Sequence, residues 1–336
     1  MKIFYCFTLL FIFQAQAQKS DFAHIDFKKA DSLALVYKNE RLTNIPQLTE
    51  KLTANLDTDV ERFRALYKWV CINIANDYGL YARNMGKRHQ FKNNPEKLTK
   101  WNQKFKHIAI QQLIKKHRTI CTGYSYLLQQ LAQQAQIPCE IVNGYARTST
   151  IDVDKLTAPN HSWNAVYLNE KWYLCDPTWA AGIPNPATNY FMFKYNDGFF
   201  LAEPELMAIN HYPEDPRWLL LENTTTNFNT FLKTPQLYGS AYSNLALYCS
   251  PEKMRYDIKK NEHFSYSLQL LDSVTVDKVT LAIDNGSSTF EVAPESFSVH
   301  RNTLHIDYIF KHRGFYDVHL YINDALISTH TVKVVN

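Results

Sequence analysis

No Cys-x-x-Cys pair occurs in the 336-residue chain, so a structural zinc centre has no support in the spacing of its thiols. Cysteine is scarce: Cys6, Cys71, Cys121, Cys139, Cys175 and Cys249 are the whole set. They are too few and too scattered for a disulfide scaffold. An excess of one charge is also missing. Lys and Arg number 36 against 32 Asp and Glu, a formal net charge of +4, too mild for a nucleic-acid-binding protein. Beyond the first residues no apolar run is long enough to span a bilayer. Internal repeats, low-complexity tracts and cofactor-binding signatures are absent, so the expectation is no cofactor and no metal.

What is present is ordinary for a protein with a real core. Hydrophobic residues make up 46% and charged residues 20%. The length suggests two domains or one large one. High aromatic content, 14%, favours sheets and packed rings. The opening "MKIFYCFTLLFIFQAQAQKS" has the layout of a secretory signal: Lys2, an apolar stretch from Ile3 to Phe13, and Ala15-Gln16-Ala17 as a cleavage site. This predicts export, periplasmic or secreted, with residues 1–17 removed and an odd number of thiols left.

Residues 21–118 carry a helical pattern. In "TDVERFRALYKWVCINIA", Thr58 and Glu61 fit a capping box. Val60, Phe63, Leu66, Tyr67, Val70 and Ile74 follow as one apolar stripe. Residues 83–118 hold eleven Lys or Arg against Glu96 alone. That is a solvated basic face, or a field that attracts acidic substrates to a nearby site. From residue 140 the pattern changes to strands, in "EIVNGYAR" and "HSWNAVYLNEKWYLCDPTW". A proline-rich, loop-like stretch runs from Ala181 to Trp218. After about residue 220 short strands recur at regular spacing between turn signals, as in an immunoglobulin-like β-sandwich.

The chemistry centres on "HRTICTGYSYLLQQLAQQ". Tyr124, Leu127, Leu128, Leu131, Ala132 and Ala135 keep helical spacing until Pro138. Cys121, three residues before Tyr124, falls at the helix start on the buried face. Unpaired N–H groups and the helix dipole favour a thiolate there. The same N–H groups suit a developing oxyanion, with the N–H of Cys121 as the candidate donor. Gly123 is expected to leave room for a substrate.

A nucleophile needs a base, and the base an orienter. If Asn169-Glu170 is a hairpin turn, Asp176 lies opposite Trp163. His161, two residues before Trp163, shares its face, so His161 and Asp176 are diagonal neighbours within side-chain reach. Plainer readings stand beside these. Cys121 can be a core thiol, His161 a structural strand histidine and Asp176 a turn residue before Pro177. Trp163 and Trp179 are packing residues or the substrate-contacting walls of a cleft. Asn160-His161-Ser162 is formally a glycosylation sequon, but a glycan would obstruct this site.

"CTGYSYLLQQLAQQAQIPCEIVNGYA", "HSWNAVYLNEKWYLCDPTW" and "YKWVCINIAND" together resemble the transglutaminase-like superfamily, closest to its kyphoscoliosis-peptidase branch. "HYPEDPRWLLL" resembles the segment following the catalytic core there. The resemblance implies an α+β architecture: a papain/transglutaminase-like core with N-terminal helices on an antiparallel sheet over residues 18–219, then an all-β sandwich over 220–336. It implies Cys121, His161 and Asp176 as a triad acting through a thioester on peptide or glutamine carboxamide bonds. The expected partner is a protein or peptide, with the cell surface or cell wall as a setting, and neither nucleic acid nor a membrane span. Hydrolysis is favoured because nothing visible shapes a dry tunnel for an amine acceptor. Transglutamination, or a non-catalytic scaffold on the same fold, are the alternatives.

Overall fold

A computed structural model describes residues 19–221 and 226–336. The secretory signal expected over residues 1–17 lies outside the described residues. Among the described residues a 3-10 turn (Lys19–Phe22) leads into six α-helices: α1 (Lys28–Val36), α2 (Ile45–Thr53), α3 (Asp59–Asn73), α4 (Tyr78–Gln90), α5 (Pro95–Lys116) and α6 (Cys121–Gln134). The capping box opening α3 is formed in both directions: Thr58 N–H donates to the Glu61 carboxylate at 3.0 Å and Glu61 N–H to Thr58 Oγ1 at 3.3 Å. The expected stripe is buried, and so are Arg64, Ala65, Trp69 and Cys71. Burial extends around α3 because α1, α2 and α6 all pack against it. The Arg64 guanidinium is matched by Asp31 and Asp197.

Helices α4 and α5 pair over a small apolar cluster of their own, built from Leu80, Phe105, Ala109 and Ile120. Lys92, Lys97, Lys100, Lys104, Lys106, Lys115 and Lys116 remain exposed, so much of the basic run is a solvated face. After α5 the chain turns at His117, φ 48°, and two short parallel strands, β1 (Ala75–Asn76) and β2 (Arg118–Thr119), steer it into Cys121.

The core sheet contains β3 (Cys139–Ala146), β4 (His161–Leu168) and β5 (Lys171–Cys175). Asn169 and Glu170 both have left-handed φ, 46° and 63°, as a two-residue hairpin turn requires. Leu168 pairs with Lys171 and Asn164 with Cys175, which is the expected register. The stretch from Ala181 to Trp218, expected to be loop-like, is more ordered than that. It follows the short helix α7 (Pro177–Ala181) with a hairpin of β6 (Gly182–Asn185) and β7 (Tyr190–Phe193), then a helical turn over Pro204–Asn210 and strand β8 (His211–Pro213). Pro184 is tolerated because the hairpin has only two strands, leaving an edge on each side. Strand β8 joins the core sheet beside β3, giving the antiparallel order β5-β4-β3-β8.

The remaining strands are β9 (Gln236–Leu237), β10 (Leu245–Ser250), β11 (Arg255–Lys259), β12 (His263–Leu270), β13 (Val279–Asp284), β14 (Thr289–Val292), β15 (Ser296–His300), β16 (Thr303–Ile309), β17 (Gly314–Ile322) and β18 (Ala325–Val335). One sheet runs β10-β12-β16-β15. The other runs β11-β18-β17-β13-β14, with β9 added beside β18. Alternate residues face inward, such as Phe264, Tyr266, Leu268 and Leu270 on β12 and Val318, Leu320 and Ile322 on β17. The fold is thus an α+β core followed by an immunoglobulin-like sandwich. One apolar cluster runs without interruption from Phe22 in the core to Val334 in the sandwich.

Candidate active site

Cys121 is the first residue of α6, with Ile120 as N-cap. The first helical hydrogen bonds are made by the N–H groups of Gly123 and Tyr124 to the Ile120 carbonyl. The N–H groups of Cys121 and Thr122 precede that turn and have no acceptor within the helix. Gly123 does not face the cleft. A Cβ there would lie 2.0 Å from Thr119 Oγ1, so its missing side chain admits β2, correcting the expectation of room for substrate.

His161 opens β4, and its Nε2 lies 2.7 Å from Asp176 Oδ2. That leaves Nδ1 clear of Asp176; the ring and the neighbouring Cys121 thiol stabilise each other's charged forms. Asp176 is fully buried and caps α7. Its Oδ1 accepts the N–H groups of Thr178 at 2.8 Å and Trp179 at 3.0 Å. Pro177 between them has no N–H to compete. The backbone of Asp176 is fixed as well: its N–H donates to the Phe199 carbonyl, and its carbonyl accepts the Tyr67 hydroxyl from α3.

A second imidazole, His211 at the start of β8, reaches the same carboxylate, with Nε2 3.1 Å from Oδ2. The segment "HYPEDPRWLLL" contains this histidine, and nothing in its spacing assigns the residue a role. No local periodicity points to it, because the pairing of Ala146 with His211 brings it in from far along the chain.

Burial works against all three charges, and the neighbours outweigh it. Desolvation opposes the Asp176 carboxylate, yet His161 and His211 hold its pKa well below the usual carboxylate range. Desolvation also opposes the His161 imidazolium, but Asp176 and then Cys121 push its pKa up to about 10. Burial raises the Cys121 pKa, while His161 and the N–H of Ser162 bring it below the ordinary thiol value. Each shift favours the charged form, in the direction of a thiolate–imidazolium pair backed by a carboxylate.

Cys121 and His161 line a cleft of about 220 Å³. One wall is α4, with Tyr81, Asn84, Met85 and Arg88; the other includes Asn143, Asn160, Ser162 and Glu214. The Asn160 side chain is spent on both backbone groups of Ala146. Neither tryptophan lines this cleft. Trp163 is 1% exposed, stacked on His161 and set edge-on to His211. It fits because Gly144, diagonal to it on β3, leaves space: a Cβ there would be 2.6 Å from the indole. Trp179 covers His161 and His211, ring centroids 5.4 and 4.3 Å away. It borders a different cavity, of about 590 Å³, beside Ile183 and Phe199. Both indoles pack around the imidazoles, and neither reaches the cleft beside Cys121.

His161, Asp176 and His211 bring potential ligand atoms within 4.8 Å of one another. Their N–O separations of 2.7 and 3.1 Å are those of shared protons. Tetrahedral coordination at about 2.0–2.2 Å would hold such atoms roughly 3.4 Å apart. The cluster is a hydrogen-bonded unit and does not fit a metal centre.

A sequence model of the transglutaminase-like superfamily matches residues 46–177, a span that includes Cys121, His161 and Asp176. Kyphoscoliosis peptidase from Homo sapiens is 29% identical over 182 residues, covering 54% of this chain and 25% of that protein. Hillarin from Drosophila melanogaster is 20% identical over 215 residues, covering 60% and 24%. The chain therefore spans about a quarter of the length of these curated relatives. Among solved structures, a TGase is 14% identical, covering 50% of this chain and 35% of that one at a TM-score of 0.27. The Lin-41 filamin domain is 17% identical, covering 24% and 82% at a TM-score of 0.19. Scores this low carry no argument. The family match, the relatives and the order of the motifs agree: residues 46–177 match the transglutaminase-like superfamily, and the surrounding chain is similar to the kyphoscoliosis peptidases.

Proposed function

We propose that the protein is a cysteine-dependent acyl-transfer enzyme that hydrolyses peptide bonds, with Cys121 as nucleophile, His161 as acid and base, and Asp176 as orienter. The observation that carries this reading is the buried 2.7 Å pair of His161 Nε2 and Asp176 Oδ2, with His161 lining one cleft together with the Cys121 thiol at the start of α6. Export of the enzyme rests on the N-terminal sequence alone.

The Cys121 thiolate attacks the peptide carbonyl carbon, forming a C–S bond while the carbonyl oxygen gains the charge. The N–H groups of Cys121 and Thr122 face that oxygen from the helix start. His161 passes its proton to the amine nitrogen as the C–N bond breaks. Water then gives a proton to His161 and attacks the thioester, releasing the acid and restoring the thiolate. Asp176 stays ionised throughout, holding the tautomer and orientation of His161. Hydrolysis is favoured over transfer to an amine because polar side chains dominate the cleft walls, where water is the natural acceptor. The same chemistry up to the thioester serves a protein-glutamine transglutaminase.

The test is covalent trapping. Candidate peptides and peptide-based electrophiles are incubated with the protein and with Cys121→Ala, and intact mass is measured. An acyl or alkyl adduct present only in the unsubstituted protein supports the assignment. Equal adducts in both remove Cys121 as nucleophile and leave a non-catalytic scaffold. Offering water and a primary amine together then separates hydrolysis from cross-linking by the product mass.

A further inference from the structure

His211 lies outside the residues covered by the family match, yet it reaches the same oxygen as His161. Resting on the reading of Cys121, His161 and Asp176 given above, we propose that His211 is a positioning residue of the relay, whose neutral ring divides Asp176 Oδ2 between two imidazoles and so limits how tightly Asp176 holds the proton on His161.

The donor count carries this. A carboxylate offers about four lone-pair directions. Oδ1 is spent on Thr178 and Trp179, and Oδ2 receives His161 at 2.7 Å and His211 at 3.1 Å. The carboxylate is fully subscribed and cannot rotate without losing a bond. His211 is held equally firmly. It is 1% exposed, between the rings of Trp163 and Trp179, and it pairs with Ala146 on β3.

Its protonation state follows from the surroundings. Nδ1 is buried with no hydrogen-bond partner, and the Met207 carbonyl already accepts the His211 backbone N–H. The charged groups facing the ring are Asp176, on the loop into α7, and His161, on β4. Burial and the His161 imidazolium outweigh the pull of Asp176 and the Met207 carbonyl and favour the neutral ring, and Nε2, facing the Asp176 carboxylate at 3.1 Å, carries its proton. A neutral donor draws charge from Oδ2 without competing for the ion pair. Removing it concentrates the carboxylate charge on His161, and an imidazolium that holds its proton more tightly is a poorer acid toward the leaving amine.

The test uses iodoacetate, whose negative charge makes it react fastest while the His161 imidazolium is present. Cys121 alkylation measured between about pH 5 and pH 11 then falls on the alkaline side as His161 loses its proton. In His211→Phe, which fills the space without a donor, the alkaline limb is expected to move up by about one pH unit, the scale of one hydrogen bond to a charged group. His211→Gln, which restores an N–H donor, should bring the limb back toward its original position. A limb that stays put in His211→Phe, or moves equally in both variants, overturns the inference. Nitrogen NMR on the unsubstituted protein gives a check independent of folding in the variants: His211 should remain a neutral Nε2–H tautomer while His161 is protonated, and a doubly protonated His211 overturns the proposal. An unsubstituted protein with no alkaline limb defeats the functional reading and this inference together. A limb present there but unmoved by substitution defeats only the role of His211.

Discussion

At the scale of single residues, Asp176 is surrounded by donors on every side. An asparagine there must turn its NH2 toward another N–H, either at Thr178 and Trp179 or at the two imidazoles. Asp176→Asn is therefore expected to cut turnover by about four orders of magnitude, as loss of the correct His tautomer does in other triads. It should also cost about 1–3 kcal/mol of stability, from one buried donor left unpaired. Steady-state kinetics and denaturant unfolding check the two parts separately. The pH dependence of stability is signed. His161 is raised from its unfolded value to about 10, so its contribution is complete below about pH 6.5 and drains as pH rises toward 10. The stability difference between the protein and His161→Gln, measured by unfolding across that window, should shrink steadily; a constant difference would deny the ion pair. Cys121, His161 and Asp176 were legible in the sequence because a helix start and a hairpin register are local properties. His211 was not, since a distant strand supplies it. The burial of Trp163 depends on Gly144 of a neighbouring strand, which periodicity along β4 cannot report.

Among the secondary-structure elements, the turn at Asn169-Glu170 sets the site from a distance. Side chains alternate along a strand, so one added residue in this turn flips the faces of β5 and turns Asp176, just beyond its end, away from His161. Such an insertion is expected to abolish the reactivity of Cys121 at neutral pH while far-UV circular dichroism stays close to normal. Unchanged alkylation rates would show that the register does not hold the relay. Gly144 works at shorter range. A Cβ there would lie 2.3 Å from the Tyr212 carbonyl as well as against Trp163, so Gly144→Ala is expected to push β8 from the sheet and take His211 with it. The measured result should be a stability loss of about 1–3 kcal/mol, typical of overpacking, with reduced alkylation of Cys121. The capping box, the stripe of α3 and the alternation of the sandwich strands were readable because each repeats a short-range rule. The β6–β7 hairpin was not, because proline and short length hid its alternation. The burial of nearly all of α3 was equally invisible, since it depends on neighbours that close around the helix from other parts of the chain.

For the whole molecule, Arg147 ties the core to the segment entering the sandwich. Its guanidinium donates to the carbonyls of Phe231 at 3.0 Å and Thr234 at 2.8 Å, and burial lowers its pKa to about 10. Arg147→Ala leaves the Thr234 carbonyl without its Arg147 donor, at about 1–3 kcal/mol, while the Phe231 carbonyl keeps the Thr234 N–H and hydroxyl. Scanning calorimetry should show a lower Tm, with the single transition resolving into two as the halves lose their coupling. The rings of Phe199 and Tyr242 make a second tie, 4.3 Å between centroids. With the apolar cluster continuous through both parts, the C-terminal sandwich is no detachable cassette. A fragment ending near residue 221 would bare the greasy seam it normally covers and tend to clump.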